Sequence, residues 1–455
     1  MSIFGTDGVR GRAGEGLLAA DSVAKISSAL ASVLQERENF SSDVDAARGQ
    51  AVYIGRDTRA SGPDLLAQLS GGLLGAGFDV CDLGVLPTPG IAEVARSAGE
   101  CCLAIVLSAS HNPAEDNGIK LLSSSGAKVS DRFEDELSAR FSEGVPPAEP
   151  GSSGVRDLSG EAFRLYAEYL VSCCPDGLDG LKVCIDAANG AASGIAAEVF
   201  LRLGAEVRAI GDQPDGRNIN LGCGALYPGA LAAEVRESGF EIGFCFDGDA
   251  DRMIPVSGTG GIFDGDLVLA LGGRHYQAEG KLPGKAVVGT VMSNIGLARS
   301  LEDAGISLIR TQVGDRNVFQ EMVAGGHPVG GEQSGHIIFR DHSSTGDGIL
   351  AAIKLLQFLQ GYEMNLDRGA EIMTAYPQVL KNVRVRDKVE LETVEPVREI
   401  VADVEQRLGA EGRVLLRYSG TEPLLRVMLE GPEQQLVDQL CDDICGVVED
   451  SLGDR

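Results

Sequence analysis

Four short segments of this chain hold the residue types that could do chemistry. Ser108-Ala-Ser-His-Asn-Pro113 follows the apolar run Cys102–Leu107. Small residues there put a hydroxyl at an exposed strand end, with His111 next door and Asn112–Pro113 forcing a turn. An ordinary Ser-rich loop has the same composition. Asp247-Gly-Asp-Ala-Asp-Arg252 closes the apolar run Ile242–Phe246. In an extended segment alternate residues face one side, so Asp247, Asp249 and Asp251 are expected to point together. Three converged carboxylates repel unless a cation joins them, and hard oxygen donors suit Mg²⁺. An EF-hand is excluded, because its turn-glycine position holds Arg252 and its bidentate-glutamate position holds Gly258. A phosphatase-type nucleophile at Asp247 and a merely solvated acidic turn are the alternatives.

Gly331-Glu-Gln-Ser-Gly-His336 lets backbone approach a ligand closely, and Glu332 and Ser334 can bond sugar hydroxyls. A plain Gly-rich turn fits it as well, and the spacing is not that of a hydrolase nucleophile elbow. Arg417-Tyr-Ser-Gly-Thr-Glu-Pro423, with Arg426 close by, can form an anion nest of backbone N–H groups flanked by two guanidiniums. The competing reading is a structural turn.

These loops need a scaffold that ends strands beside one another. Valines, isoleucines and leucines at Val23, Ile26, Leu30, Val33 and Leu34 mark a helix face after Asp21, a potential cap; Ala51–Ile54 reads as a strand running into the polar loop Gly55–Arg59. Helical spacing returns at Leu65, Leu66, Leu69, Leu73 and Leu74, before the strand Cys102–Leu107. Gly144–Gly160, with three prolines, reads as a linker. Beyond it come strand Lys182–Asp186, helix Ala191–Leu203, and strands Ala205–Ile210, Glu241–Phe246, Ala286–Thr290 and Ser307–Thr311. Asn382–Arg386, Arg413–Tyr418 and Leu425–Leu429 read as strands of a different, α+β region, with a last helix from about Pro432. The expected architecture is three successive α/β domains with mixed, mostly parallel sheets (1–150, 151–257, 258–368) and a smaller C-terminal α+β domain (369–455) around a central active-site cleft.

Composition bounds the ligands. Of 455 residues, 39 are Lys or Arg against 67 Asp or Glu, a formal charge of −28. Such a body repels nucleic acid and anionic membranes, and no basic run offsets it. A phosphate ester must therefore be gripped by a few local arginines. No segment approaches ~20 uninterrupted apolar residues and no signal-peptide pattern opens the chain, so a cytoplasmic location is expected. The ten cysteines are scattered without paired C-x-x-C sets and read as small buried hydrophobes in a reducing compartment.

Taken in this order and spacing, the four segments resemble the α-D-phosphohexomutase family. The likeness runs from Phe4-Gly-Thr-Asp-Gly-Val-Arg-Gly11 to Arg426-Val-Met-Leu-Glu-Gly431, through Asp116–Lys120, Asn218–Asn220, Thr290–Asn294, Val313–Arg316 and Tyr376–Gln378. Gln333 and the wording Thr-Val-Met-Ser-Asn are similar to the bacterial glucosamine branch; Asn317, where relatives often have Tyr, and Leu226–Tyr227, in place of Thr–His, depart from the pattern. The resemblance implies that Ser110 carries a phosphoryl group and that Asp247, Asp249 and Asp251, with Ser110, bind one Mg²⁺. It implies that Arg10, His111, Lys120 and Arg252 line the active centre and that Glu332, Ser334 and His336 meet the sugar. Arg417, Ser419, Gly420, Thr421 and Arg426 would grip the non-reacting phosphate.

The implied reaction interconverts glucosamine 6-phosphate and glucosamine 1-phosphate, feeding UDP-N-acetylglucosamine and cell-wall precursor synthesis. A glucosamine or glucose 1,6-bisphosphate serves as intermediate and activator. The other substrate reading is a phosphoglucomutase or phosphomannomutase on neutral hexoses. Lys120 is the first choice of base, with His111 or His336 next. A phosphosugar is the expected partner, with neither nucleic acid nor membrane, and relatives suggest a homodimer.

Overall fold

The computed structural model describes residues 2–5, 8–45, 47–146, 154–419 and 422–453. The chain forms two compact units, Met1–Met292 with Ile306–Ile372, and Ser293–Gly305 with Met373–Arg455.

Three sheets build the first unit. The first contains β1 (Val9–Arg12), β2 (Ala51–Arg56), β3 (Asp79–Val85), β4 (Cys101–Leu107), β5 (Asp116–Ser123) and β6 (Arg156–Asp157), in the order β1-β5-β4-β2-β3-β6. Its centre is parallel, β3-β2-β4, and β5 and β1 add antiparallel edges. All seven residues of β4 are buried, the mark of a strand covered on both faces. Helix Ala20–Gln35 lays Val23, Ile26, Leu30, Val33 and Leu34 on this sheet, as their spacing predicts. Its cap position is Ala19, however; Asp21 sits inside the first turn, where a carboxylate still complements the helix dipole. Within the expected linker, β6 pairs with β3 and so extends the first sheet.

The second sheet runs β10-β9-β7-β8, from β7 (Lys182–Asp186), β8 (Glu206–Ile210), β9 (Ile242–Phe246) and β10 (Met253–Ser257). β7, β8 and β9 are parallel, and β9 turns back into the antiparallel β10. The third, β12-β11-β13-β14, joins β11 (Ala286–Thr290), β12 (Ser307–Thr311), β13 (Val329–Gly331) and β14 (Ile337–Phe339), again parallel with one antiparallel edge. The helix expected over Ala191–Leu203 is shorter, Ile195–Arg202, because Ala188, Asn189 and Gly194 take positive φ and hold the preceding chain in turns.

In the second unit β15 (Gln378–Arg384), β16 (Arg413–Tyr418) and β17 (Leu424–Glu430) form an antiparallel sheet ordered β15-β17-β16. Helices Glu395–Leu408 and Gln434–Leu452 cover it, the latter burying Val437, Leu440, Ile444 and Val448 together with Cys441 and Cys445. Nine of the ten cysteines are buried and Cys223 is half-buried, all as free thiols.

Candidate active site

Parallel strands deliver their following loops to one edge of a sheet. Loops after β2, β3 and β4 therefore meet, and the β9–β10 turn of the second sheet joins them.

Ser110, three residues past β4, has φ 49°, a left-handed conformation that side chains other than glycine adopt rarely. Its amide donates to Ser108 Oγ at 2.9 Å, and Ser108 Oγ donates to Asp57 Oδ2 at 2.6 Å. Its carbonyl accepts from Arg59 Nη2 at 3.0 Å and Asn220 Nδ2 at 2.9 Å. The hydroxyl donates to Asp247 Oδ2 at 2.6 Å, and His111 Nδ1 lies 3.2 Å from the same Oγ.

Asp247, Asp249 and Asp251 offer carboxylate oxygens that all lie within 4.8 Å of one another. Their convergence arises differently from the alternation expected of an extended segment. Residues 247–251 form a tight turn in which Ala250 has φ 55° and donates its amide to Asp247 O. A turn brings i, i+2 and i+4 together where a pleated strand would spread them over roughly 13 Å. The surroundings fix this turn: Thr88 N donates to Asp249 O, Gly348 N to Ala250 O, and Arg252 N to Asp247 Oδ1. Gly248 is required, since a Cβ there would come 2.4 Å from the Ser110 carbonyl oxygen.

The donor set fits a hard divalent cation. Asp249 Oδ1 and Asp251 Oδ1 are buried and have no hydrogen-bond partner. Burial, followed by the facing carboxylates of Asp251 and Asp249, pushes the Asp247 carboxyl well up, so the bare cluster resists holding three charges. Asp249 Oδ2 accepts from Thr88 Oγ1 at 2.7 Å and Lys120 Nζ at 3.1 Å. Asp251 lies 3.7 Å from Arg252 Nε and 3.6 Å from His336 Nδ1, ion-pair distances rather than hydrogen bonds. Gly346 N donates to His336 Nε2 at 3.0 Å, leaving the proton on Nδ1 facing Asp251. Burial pushes His336 down and the Asp251 charge pushes it up, toward about 9; an imidazolium would have no acceptor for the Gly346 N–H, so the hydrogen bond to Nε2 identifies the neutral ring with its proton on Nδ1. Burial, then Arg252 and Arg10, lower His111 to about 4, so this imidazole is neutral at pH 7.

A cleft of about 590 Å³ opens on this centre, lined by Arg10, Ser110, His111, Arg252, Glu332 and His336 among others. Lys120 lines instead an adjoining cavity of about 280 Å³ that shares Asp251, Asp315, Arg316 and Gln320 with the cleft. The Gly331–His336 segment is the turn between β13 and β14. Glu332 is half-buried and accepts from Gly314 N at 3.0 Å, and Ser334 is exposed. In the second unit Arg417 and Arg426 face each other in register across β16 and β17, Ser419 is buried, and Arg426 Nε is buried without a hydrogen-bond partner. Gly420 and Thr421 lie outside the described residues.

Comparison with known proteins now decides the family. Models of phosphoglucomutase/phosphomannomutase domains I, II, III and the C-terminal domain match residues 1–146, 164–260, 264–376 and 380–447, in that order. The chain is 45% identical over 450 residues to a phosphoglucosamine mutase of Thermobifida fusca, covering 99% of this chain and 98% of that one. It belongs to the phosphoglucomutase/phosphomannomutase family. A phosphoglucosamine mutase of Symbiobacterium thermophilum is 44% identical, with 99% of both chains covered. Among solved structures, a phosphoglucomutase/phosphomannomutase family protein of Burkholderia thailandensis aligns with TM-score 0.80 at 26% identity, over 99% of this chain and 97% of that one. A putative phosphomannomutase of Thermus thermophilus shares the fold, with TM-score 0.77 at 24% identity over 99% and 100% of the two chains.

For this family member, Asp57, Arg59 and Thr88 are the site residues that sequence reasoning passed over, and Asn220 was noted only as part of a likeness. Their shared signal is position: Asp57 and Arg59 follow β2 and Thr88 follows β3, at the same sheet edge as Ser110. Strain concentrates here too. Five described non-glycine residues with positive φ, namely Ser110, Ala188, Asn189, Asn220 and Ala250, sit in the loops after β4, β7 and β9 or in the Asn218–Asn220 segment that reaches Ser110.

Proposed function

We propose that this protein interconverts glucosamine 6-phosphate and glucosamine 1-phosphate through an enzyme phosphorylated on Ser110 and a 1,6-bisphosphate intermediate. The observation that carries the reading is a buried serine hydroxyl 2.6 Å from Asp247, within a three-carboxylate cluster beside an open cleft. A serine kept for packing has no use for that charge. The substrate class follows the relatives named phosphoglucosamine mutase, at 42–45% identity over nearly the whole chain.

In the forward half-reaction the Ser110 Oγ–P bond breaks and a sugar O–P bond forms. The proton leaving the sugar hydroxyl is returned to Ser110 Oγ. His111, neutral at pH 7 and 3.2 Å from that oxygen, can relay it, accepting a proton on one ring nitrogen as the other gives its own to Oγ. Lys120 is the first choice for the hydroxyl's proton, a role that needs its neutral amine and therefore needs Asp249, 3.1 Å away, to give its charge to the cation instead. Mg²⁺ held by Asp247, Asp249, Asp251 and the Ser110 oxygen would neutralise charge on the transferring group. The bisphosphate then turns end for end and returns its other phosphoryl group to Ser110. Glu332 and Ser334 serve the sugar in both orientations, and Arg417, Ser419, Gly420, Thr421 and Arg426 hold the idle phosphate. Glucosamine or glucose 1,6-bisphosphate would load the serine. The reaction suits the cytoplasm, where the amino-sugar nucleotide precursors of the cell wall are made; among the described residues no helix is long and apolar enough to cross a membrane.

Ser110→Ala tests the assignment. Turnover of glucosamine 6-phosphate should vanish with the melting curve intact, and intact mass of fresh wild-type protein should show one added phosphate on the Ser110 peptide. Near-normal turnover by Ser110→Ala would refute the phosphoserine cycle.

A further inference from the structure

We infer that Arg59 is a positioning residue for phosphoryl transfer: its buried guanidinium holds the backbone of the Ser110 loop in the left-handed turn that aims Ser110 Oγ at the carboxylate cluster. The inference rests on the reading of Ser110 as phosphoryl carrier.

Arg59 and Asp57 form an ion pair, Nε to Oδ2 at 2.9 Å, with both side chains fully buried. A pair placed there for stability alone would be a poor choice, because desolvating two charges offsets most of their attraction. The rest of the guanidinium explains its presence. Nη2 donates to the carbonyls of Ser110 at 3.0 Å and Asn112 at 2.8 Å, and Nη1 donates to those of Asp116 at 2.8 Å and Pro113. Four carbonyls of one loop thus converge on a single planar cation. Left without it they would repel, and the turn that gathers them would open. The planar fork is what meets several acceptors at once, which a point charge on a flexible stem does not.

The other half of the pair grips the same residue from its amide side. Asp57 Oδ2 accepts from Ser108 Oγ, and Ser108 Oγ accepts from Ser110 N. Both backbone polar groups of Ser110 are therefore tied to one buried ion pair, the carbonyl directly and the amide through a serine. Asn220 Nδ2 adds a second donor to the Ser110 and Asn112 carbonyls, at 2.9 and 3.1 Å. The metal loop packs on that carbonyl too, at Gly248. A shift of the Ser110 carbonyl would therefore move Oγ and the Asp247 loop relative to each other. Neither Arg59 nor Asp57 lines the cleft, so sugar binding would be spared.

The test is Arg59→Lys, which keeps a cation for Asp57 and loses the fork, with Arg59→Met alongside. We expect kcat for glucosamine 6-phosphate to fall about 100-fold with KM unchanged within about threefold, the cost of a misplacement near 1 Å. Loading of Ser110 by the 1,6-bisphosphate, followed by intact mass, should slow in parallel. A folded Arg59→Lys or Arg59→Met with kcat within about threefold of wild type overturns the inference, as does a rise in KM at unchanged kcat. Should neither variant fold, Asn220→Ala removes the second donor to the same two carbonyls; a fall in kcat of about tenfold at constant KM is expected, and unchanged kcat overturns the inference. Ser110→Ala keeps the two ideas apart. Turnover by Ser110→Ala sinks the carrier reading itself, whereas an inactive Ser110→Ala beside a fully active Arg59→Lys sinks only the role of Arg59.

Discussion

Thr88→Val isolates one bond behind the carboxylate cluster. Thr88 is buried and its Oγ1 donates to Asp249 Oδ2 at 2.7 Å, while its backbone amide independently donates to Asp249 O at 3.0 Å. Valine has nearly the same shape, so the substitution removes the hydroxyl and leaves the amide anchoring the turn. A hydrogen bond to a charged group is worth about 1.5–3 kcal/mol. Asp249 Oδ2 keeps its second donor, Lys120 Nζ at 3.1 Å, so the lower end applies. About 1.5 kcal/mol corresponds to a factor of about ten in an equilibrium constant, in line with outer-shell substitutions at metal sites. The assay is initial rate against Mg²⁺ concentration at saturating glucosamine 6-phosphate. The half-saturating Mg²⁺ should rise about tenfold, with kcat at saturating Mg²⁺ within about threefold, because Thr88 touches neither Ser110 nor the cleft. An unchanged Mg²⁺ requirement in a folded Thr88→Val would show that Asp249 is not held for a cation, and the metal reading of the cluster would fall with it.

Two further outcomes follow from other carboxylates, one buried and one half-buried. Asp347 caps helix Gly348–Gly361 through Leu350 N and accepts from the Tyr166 hydroxyl at 2.9 Å; burial, against both of these bonds, raises its carboxyl to about 7. A folded-state value above the unfolded one means the native state holds the extra proton. The contribution is complete below pH 3.8 and is lost as pH rises through 7, a cost of about 4 kcal/mol by pH 8. Asp347→Asn keeps the cap and should flatten the melting-temperature profile between pH 4 and 8, gaining on the order of 5 °C at the upper end; parallel profiles for the two proteins would exclude the assignment. Glu332→Gln should raise KM for glucosamine 6-phosphate by about tenfold and leave kcat within about threefold, read from steady-state kinetics, since Glu332 lines the cleft while holding Gly314 N.

What could be read from the residues, and what could not, divides along sheet order. Strands Lys182–Asp186 and Ala286–Thr290, which are buried, and Ser307–Thr311 and Arg413–Tyr418, which are not, all fall where short apolar runs place them, because such a run is a local signal. Ser110 and the three aspartates were also legible, because their segments follow such runs and resemble those of a known family, serines and aspartates being by themselves ordinary in loops. The turn at Ala250 was not, because nothing local distinguishes a strand that continues from one that folds back; Thr88 N and Gly348 N, from distant segments, decide it. Thr88, Asp57 and Arg59 were silent for a related reason. A threonine between two prolines and a polar pair after a strand are ordinary in any loop. They acquire meaning only when β2 is known to lie between β3 and β4, all parallel, so that their trailing loops share one edge. Periodicity reports which face of a strand is buried, and the lateral neighbour is chosen by long-range packing. The groups that would transfer the phosphoryl stand out by the order and spacing of their segments, and the groups that hold them are made special by where the sheet carries them. Substitutions at Arg59 and Thr88 therefore probe the fold's own contribution to the chemistry, which Ser110→Ala cannot.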